Sequence, residues 1–313
     1  MIYKQLGKTD LNVSRLCLGT NLFGAGYVSE DDIKGLIGKS IDLGINFIDT
    51  ADVYNGGLSE EIVGKAVSNN RQDFVIATKG GNPVGEQAKE FGLSKKYLTK
   101  ALDASLRRLD MDYVDLYQVH IWDHDTPIEE TIDVLDSFVK QGKVRYLGCS
   151  NFTASQLRQS LEVSSHNVWN RFESVQPIYN LIDRGIEPEL LPLCVDVDIA
   201  VLPYQILMGG ILTGTYKQNS LPPSNSHMAS KHARGAKEKY WTDHGFSIAA
   251  KLGALSEESG YTTSQLTIAW ALNKKGITSV IVGSSNLQQL QENSLTLSGD
   301  VSADVLLALD SIS

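Results

Sequence analysis

The chain has 313 residues, of which 42% are hydrophobic and 21% charged, and it carries a formal net charge of −9. That composition excludes disorder and collagen-like repetition and supplies ample apolar side chains for a large core. The negative charge disfavours a nucleic-acid backbone as partner.

Cys17, Cys149 and Cys194 are far apart and show no CxxC spacing, so neither a disulfide framework nor a metal site is predicted. The first residues, MIYKQLGKTDLNVSRLCLG, lack a basic start followed by an apolar run, and no uncharged apolar stretch approaches ~20 residues. A cytoplasmic protein without signal peptide or membrane span is expected.

Taken in chain order, short β-branched runs alternate with helical patterns. Strands are predicted at Arg15–Leu18, Asn46–Asp49, Phe74–Thr78, Val114–Val119, Val144–Cys149, Glu173–Gln176, Ile199–Leu202 and Val280–Val282. Several are nearly continuous apolar runs, as parallel strands covered on both faces require. Ser29 before Glu30-Asp31-Asp32 predicts a capped helix through Leu43, with Gly44 as its stop. Leu98, Ala101, Leu102, Leu106 and Leu109 give Lys95–Leu109 a helical period. Thr126-Pro127-Ile128-Glu129 opens another helix, with proline in its first turn, running to about Gln141 before Gly142.

Eight strand–helix units predict an α/β fold of the (β/α)₈ TIM-barrel class, a single domain over 1–313 with an N-terminal β-hairpin and active-site loops at the C-terminal face. A doubly wound sheet is the alternative, but no complete glycine fingerprint follows an early strand. Gly24-Ala25-Gly26-Tyr27-Val28-Ser29 lacks the third glycine, and Gly38-Lys39-Ser40 lacks the first glycine of a P-loop. They read as a loop and a helix surface. Lys217–Asp243 has no clear period and is read as a long loop after the seventh strand.

Barrel enzymes carry their working groups at the C-terminal strand ends. Those ends bring forward Asp49, Lys79 and His120, with Tyr54 five residues beyond Asp49. Each alone has a bland reading as cap, solvated lysine or packing aromatic. Together they suggest proton transfer. His120 and His124, with Asp123 between them, suggest a metal pair, but they fall in an expected loop and no third spaced ligand is evident, so no metal is expected. Trp122, Phe23, Tyr27 and Trp241 are candidates for a substrate pocket, Trp122 foremost, and Trp270 reads as core.

The segment Asp49-Thr50-Ala51-Asp52-Val53-Tyr54, followed by Lys79 and His120, resembles the aldo-keto reductase superfamily. The resemblance extends over nearly the whole chain. It includes Lys143 through Phe152, Gln176 with Tyr179-Asn180, Gly209 through Gly214, and Gly283-Ser284-Ser285 followed by Gln289, Glu292 and Asn293.

The resemblance implies reduction of an aldehyde or ketone by nicotinamide hydride. It implies that Tyr54 donates the proton, Lys79 lowers the tyrosine pKa, Asp49 holds Lys79, and His120 positions the carbonyl oxygen. Tyr54, His120 and Trp122 would line the substrate pocket. Ser150, Asn151 and Gln176 would meet the carboxamide, and Tyr204 would stack under the ring. Gly19, Thr20, Asn21, Asp49, Gln205, Leu207, Gly209, Gly283, Ser285, Gln289, Glu292 and Asn293 complete the implied cofactor contacts. The loop at Gly283 precedes a short helix near Gln288–Leu295, whose N-terminus suits a phosphate.

Two departures stand out. Ser285 occupies a place where the family often has a cation for a 2′-phosphate, and Gln205-Ile206 replaces the usual Ser-Pro or Ser-Ala. NADP(H) is the expected cofactor, with NAD(H) open. A small carbonyl compound is the expected partner, and both monomer and homo-oligomer remain open. Two other functions are weighed: a cofactor-binding scaffold of the same fold, as in potassium-channel β subunits, and a Schiff-base aldolase using Lys79.

Overall fold

The computed structural model describes residues 1–26, 28–85, 90–224, 226–230, 233–297 and 301–312. A hairpin of β1 (Tyr3–Gln5) and β2 (Asn12–Ser14) opens the chain. The barrel strands follow: β3 (Leu16–Gly19), β4 (Phe47–Asp49), β5 (Val75–Gly80), β6 (Val114–Val119), β7 (Val144–Ser150), β8 (Phe172–Gln176), β9 (Ala200–Val201) and β10 (Val280–Gly283). All neighbouring pairs are parallel, in the order β10-β3-β4-β5-β6-β7-β8-β9. Thr278 and Ile281 N–H groups donate to the Val201 and Pro203 carbonyls at 2.9 Å, joining the last two strands. The fold is the expected (β/α)₈ barrel.

Helices α1 (Glu30–Leu43), α2 (Leu58–Val67), α3 (Lys95–Leu109), α4 (Ile128–Lys140), α5 (Ala154–Asn167) and α6 (Leu190–Val197) come between strands. After β9 come α7 (Arg234–Tyr240), α8 (Asp243–Ser259) and α9 (Thr263–Asn273), and after β10 come α10 (Leu287–Leu295) and α11 (Ala303–Asp310). The Ser29 hydroxyl caps α1 through the Asp32 N–H, and Gly44 ends it at φ 74°. Gly38-Lys39-Ser40 lies within α1, as read from the sequence. Pro127 is corrected by one position: it is the N-cap of α4 rather than a first-turn residue, because its ψ of 131° is not helical.

A second correction concerns Lys217–Asp243. Its described part is not a plain loop, since it contains a 3₁₀ turn at His227–Ala229 and helix α7. Ala233, Ala236 and Tyr240 are buried at helical spacing there, a signal too short to stand out in sequence.

Two apolar clusters result. The larger lies between strands and helices and contains Trp270, stacked on Tyr179 at 4.9 Å, as core. The smaller fills the barrel: Cys17, Phe47, Val75, Ala77 and Leu116 meet Leu6, Leu11 and Val13 of the hairpin region, which closes the N-terminal end. All three cysteines are buried free thiols. Among the described residues no helix is long and apolar enough to cross a membrane.

Helix α2 packs on α3 through Gly64, where an added Cβ would lie 2.1 Å from the Leu109 carbonyl oxygen. Gly64→Ala is therefore expected to lower stability by about 1–3 kcal/mol, measured by urea denaturation. An unchanged midpoint would show that this contact yields without strain.

Candidate active site

The interior alternation of the strands explains which side chains meet. Phe47 and Asp49, Ala77 and Lys79, Leu116 and Gln118 point inward along β4, β5 and β6, so the apolar barrel core is topped by a polar layer. The Lys79 ammonium is fully buried and donates to Asp49 Oδ2 at 2.6 Å and to the Thr50 carbonyl at 2.8 Å. Asp49 Oδ1 accepts from Gln118 Nε2 at 3.1 Å and Gln176 Nε2 at 2.9 Å. Burial opposes the lysine charge, but Asp49 and Tyr54 outweigh it and hold its pKa above the usual value.

Tyr54 reaches the same ammonium. Its hydroxyl accepts from Lys79 Nζ at 3.2 Å, and that nitrogen lies 4.8 Å from the ring centroid. The tyrosine is delivered by a turn closed by the Tyr54 N–H on the Ala51 carbonyl. Asn55 follows at φ 52°, and its side chain donates to the Asn21 and Phe23 carbonyls at 3.1 and 2.7 Å. Those bonds fix a left-handed residue beside the tyrosine.

The expected lowering of the tyrosine pKa by Lys79 is present but outweighed. Burial is the largest influence and raises it, Lys79 lowers it, and the net direction is upward. The phenol is therefore firmly protonated. His120 stands edge-on to Tyr54, with ring centroids 6.1 Å apart. Its Nδ1 is buried without a hydrogen-bond partner among the described residues, and burial, aided by Lys79, pushes its pKa down to about 3. The imidazole is neutral at ordinary pH. The four side chains brought forward from strand ends thus converge.

A cleft of about 780 Å³ runs from Asp49 and Tyr54, past Gln176 and Tyr204, to α10. Gly19, Thr20 and Asn21 line one side. Gln205, Leu207 and Gly209 line the other, in a strained segment with positive φ at Gln205, Met208, Gly209 and Gly210. Gly283, Ser285, Gln289, Glu292 and Asn293 line the far end. There the Ser285 N–H and hydroxyl both donate to Gln289 Oε1 at 2.9 Å. The Asn286 side chain caps α10 by accepting the Gln289 N–H.

Ser150 and Asn151 sit beside this cleft rather than along its described lining. The Ser150 hydroxyl donates to the Gln176 carbonyl at 2.8 Å. Asn151, at φ 58°, accepts from the Tyr204 hydroxyl at 2.8 Å. Trp122 packs edge-on against Phe152 at 5.2 Å, and Trp241 packs against Tyr216 and Phe246. Phe23 is fully buried in the core, and Tyr27 lies outside the described residues.

Sequence reasoning missed Gln118, although its place two residues before His120 on an inward-facing register was a usable signal. It also missed Tyr216, Ser226 and His227 along the cleft, because their segments have no period to read, and Asp32, which reads only as a first-turn acid of α1.

Residues 15–313 match the Aldo/keto reductase family. The chain is 35% identical over 304 residues to a protein described as a probable voltage-gated potassium channel subunit beta from Arabidopsis thaliana, covering 94% of this chain and 90% of that one. A protein so described from Oryza sativa subsp. japonica is 33% identical over 94% and 90% of the two chains. A versiconal hemiacetal acetate reductase from Aspergillus parasiticus is 32% identical over 87% and 86%. With its barrel, its buried lysine–aspartate pair and this match, the chain belongs to the aldo/keto reductase family.

Proposed function

We propose that the whole chain works as one barrel domain that reduces a small aldehyde or ketone to an alcohol, with Tyr54 as proton donor and a nicotinamide dinucleotide in the cleft. The observation that carries this reading is the Lys79 ammonium shared between Asp49 Oδ2 at 2.6 Å and the Tyr54 hydroxyl at 3.2 Å. Bound in the cleft, the reduced nicotinamide would supply hydride to the carbonyl carbon.

Negative charge then develops on the carbonyl oxygen, which needs a hydrogen-bond donor about 3 Å away. The Tyr54 O–H is that donor. An alkoxide is a far stronger base than a phenolate, so the transfer runs downhill even from a tyrosine whose pKa burial has raised. Lys79 stabilises the phenolate left behind, and Asp49 holds the lysine charged and aimed. His120, neutral, offers a ring nitrogen to the substrate oxygen without competing for its proton.

The cleft fits a dinucleotide by its length and by its two polar ends. The Gln176 N–H groups serve Asp49 and Gln118, which leaves its amide oxygen as acceptor for a carboxamide N–H. Backbone N–H groups at the start of α10 face the far end, where a phosphate is favoured by the helix dipole.

The described lining there includes Asp32 and Glu292 and no lysine or arginine. The reading of NADP(H) over NAD(H) therefore rests on the neutral donor Ser285, and discrimination by these residues is weak. Ser285→Arg is expected to strengthen NADP(H) binding relative to NAD(H) by about tenfold, since a charge-assisted hydrogen bond contributes about 1.5–3 kcal/mol. Fluorescence titration of both nucleotides measures this, and an unchanged ratio would remove Ser285 from the ribose contact.

The likeness to plant channel β subunits favours a second reading, a cofactor-binding scaffold with slow turnover. Loss of absorbance at 340 nm with a panel of aldehydes separates the two. A protein saturated with cofactor yet inert to the whole panel would favour the scaffold.

A further inference from the structure

Asp52 is an unused carboxyl two residues from Tyr54. It is fully buried, and neither of its oxygens has a hydrogen-bond partner among the described residues. The Val53 N–H lies close enough to favour the charge slightly but not in bonding geometry. Charged and titratable groups face it from every side. Glu60 of α2 is fully buried and paired with Arg108 of α3 at 2.7 Å. Tyr97 and Lys100 of α3, Lys79 of β5 and Tyr117 of β6 complete the surroundings, with Glu90 from the segment before α3. Lys100 and Glu90 pair with each other at 3.1 Å on the surface. The Tyr117 hydroxyl is likewise buried without a partner.

One guanidinium therefore serves Glu60, and an ionised Asp52 would be a second buried anion beside it. Desolvation and then Glu60 push the Asp52 carboxyl up to about 7, against the opposing pull of Arg108. A side cavity of about 240 Å³, lined by Asp52, Tyr97, Ala101, Ala104 and Arg108, is the nearest route to water. The backbone ties Asp52 to the site. Its N–H donates to the Lys79 carbonyl at 3.1 Å, and it forms with Val53 the middle of the turn that the Tyr54 N–H closes on Ala51 at 3.1 Å.

We propose that Asp52 is a positioning residue whose neutral, protonated carboxyl lets this turn pack against α2 and α3 and so keeps the Tyr54 hydroxyl on Lys79. The ionised carboxylate is drawn toward the side cavity and loosens that contact. The consequence for turnover rests on the carbonyl-reductase reading. The consequence for the turn does not.

The sign follows from the raised pKa. Folding favours the protonated form, so ionisation costs nothing below the ordinary carboxylate range near 3.8. The cost grows as pH rises to about 7 and is constant above it.

The test is ¹³C NMR of the wild-type protein labelled at aspartate carboxyls and tyrosine Cζ, with Asp52 assigned by its loss in Asp52→Asn and Tyr54 by its loss in Tyr54→Phe. The expected result is an Asp52 midpoint at about 7, mirrored by the Tyr54 signal. Glu60→Gln, which frees Arg108 for Asp52, should lower that midpoint by about one unit or more. In kinetics, kcat should fall with an apparent pKa of about 7 in the wild type, and this limb should vanish in Asp52→Asn. An Asp52 midpoint below 5, or a Tyr54 signal indifferent to it, would overturn the proposal even in an active enzyme. Absence of any carbonyl reduction would overturn the reading of function, while the two NMR signals would still decide the role of Asp52.

Discussion

Replacing Tyr54 with phenylalanine is expected to lower kcat by at least about 100-fold while cofactor affinity stays nearly unchanged. The substitution removes one oxygen and keeps the ring that lies against Lys79 and edge-on to His120. Neither neighbour replaces the lost proton. Lys79 is held by Asp49 and the Thr50 carbonyl, and His120 carries no second proton because burial keeps its pKa near 3. Steady-state rates with fluorescence titration of the nucleotide measure both quantities. Wild-type turnover in this variant would rule out Tyr54 as the acid.

Replacing Lys79 with methionine has the larger expected effect on the protein as a whole. It leaves the buried Asp49 with Gln118 and Gln176 as its side-chain donors. Breaking a buried ion pair from one side costs about 3–5 kcal/mol, because the remaining charge stays desolvated. Denaturant unfolding should show a loss of that order, and carbonyl reduction should fall at least as far as in Tyr54→Phe. Adding Asp49→Asn removes the orphaned charge. The double variant should therefore regain most of the stability and none of the rate. Recovery of both together would mean that Lys79 acts only as a structural partner of Asp49.

These expectations use residues that were legible before any coordinates. The strand ends Asp49, Lys79 and His120 could be named because an apolar run that stops at a polar residue marks the rim of a barrel, and the helices around them announced themselves by Ser29, Gly44 and the Leu98–Leu109 period. Three features lay beyond that method. Helix α7 has only seven residues, one of them glycine, so its buried Ala236 and Tyr240, with Ala233 at the N-cap, make no visible stripe. The direction of the Tyr54 pKa depends on how burial and Lys79 balance, and spacing carries no information on burial. Asp52 looks like one more acid in a loop. Only the packing of α2 and α3 shows that its carboxyl is shut away near Glu60, which is already paired with Arg108. The far end of the cleft was half legible: Gly283, Ser285 and Gln289 were named, whereas Asp32 of α1 and His227 of the 3₁₀ turn come from segments distant in sequence.

The central claim is that a carbonyl compound is reduced in this cleft by hydride from a bound nicotinamide. It is tested most directly by incubating the protein with 4-deuterated NADPH or NADH and an aldehyde panel, then reading the alcohols by mass spectrometry. The account predicts one deuterium on the former carbonyl carbon in the wild type, and a yield at least about 100-fold lower from Tyr54→Phe at equal time. Cofactor bound at saturation, with no labelled alcohol from any member of the panel, would contradict it.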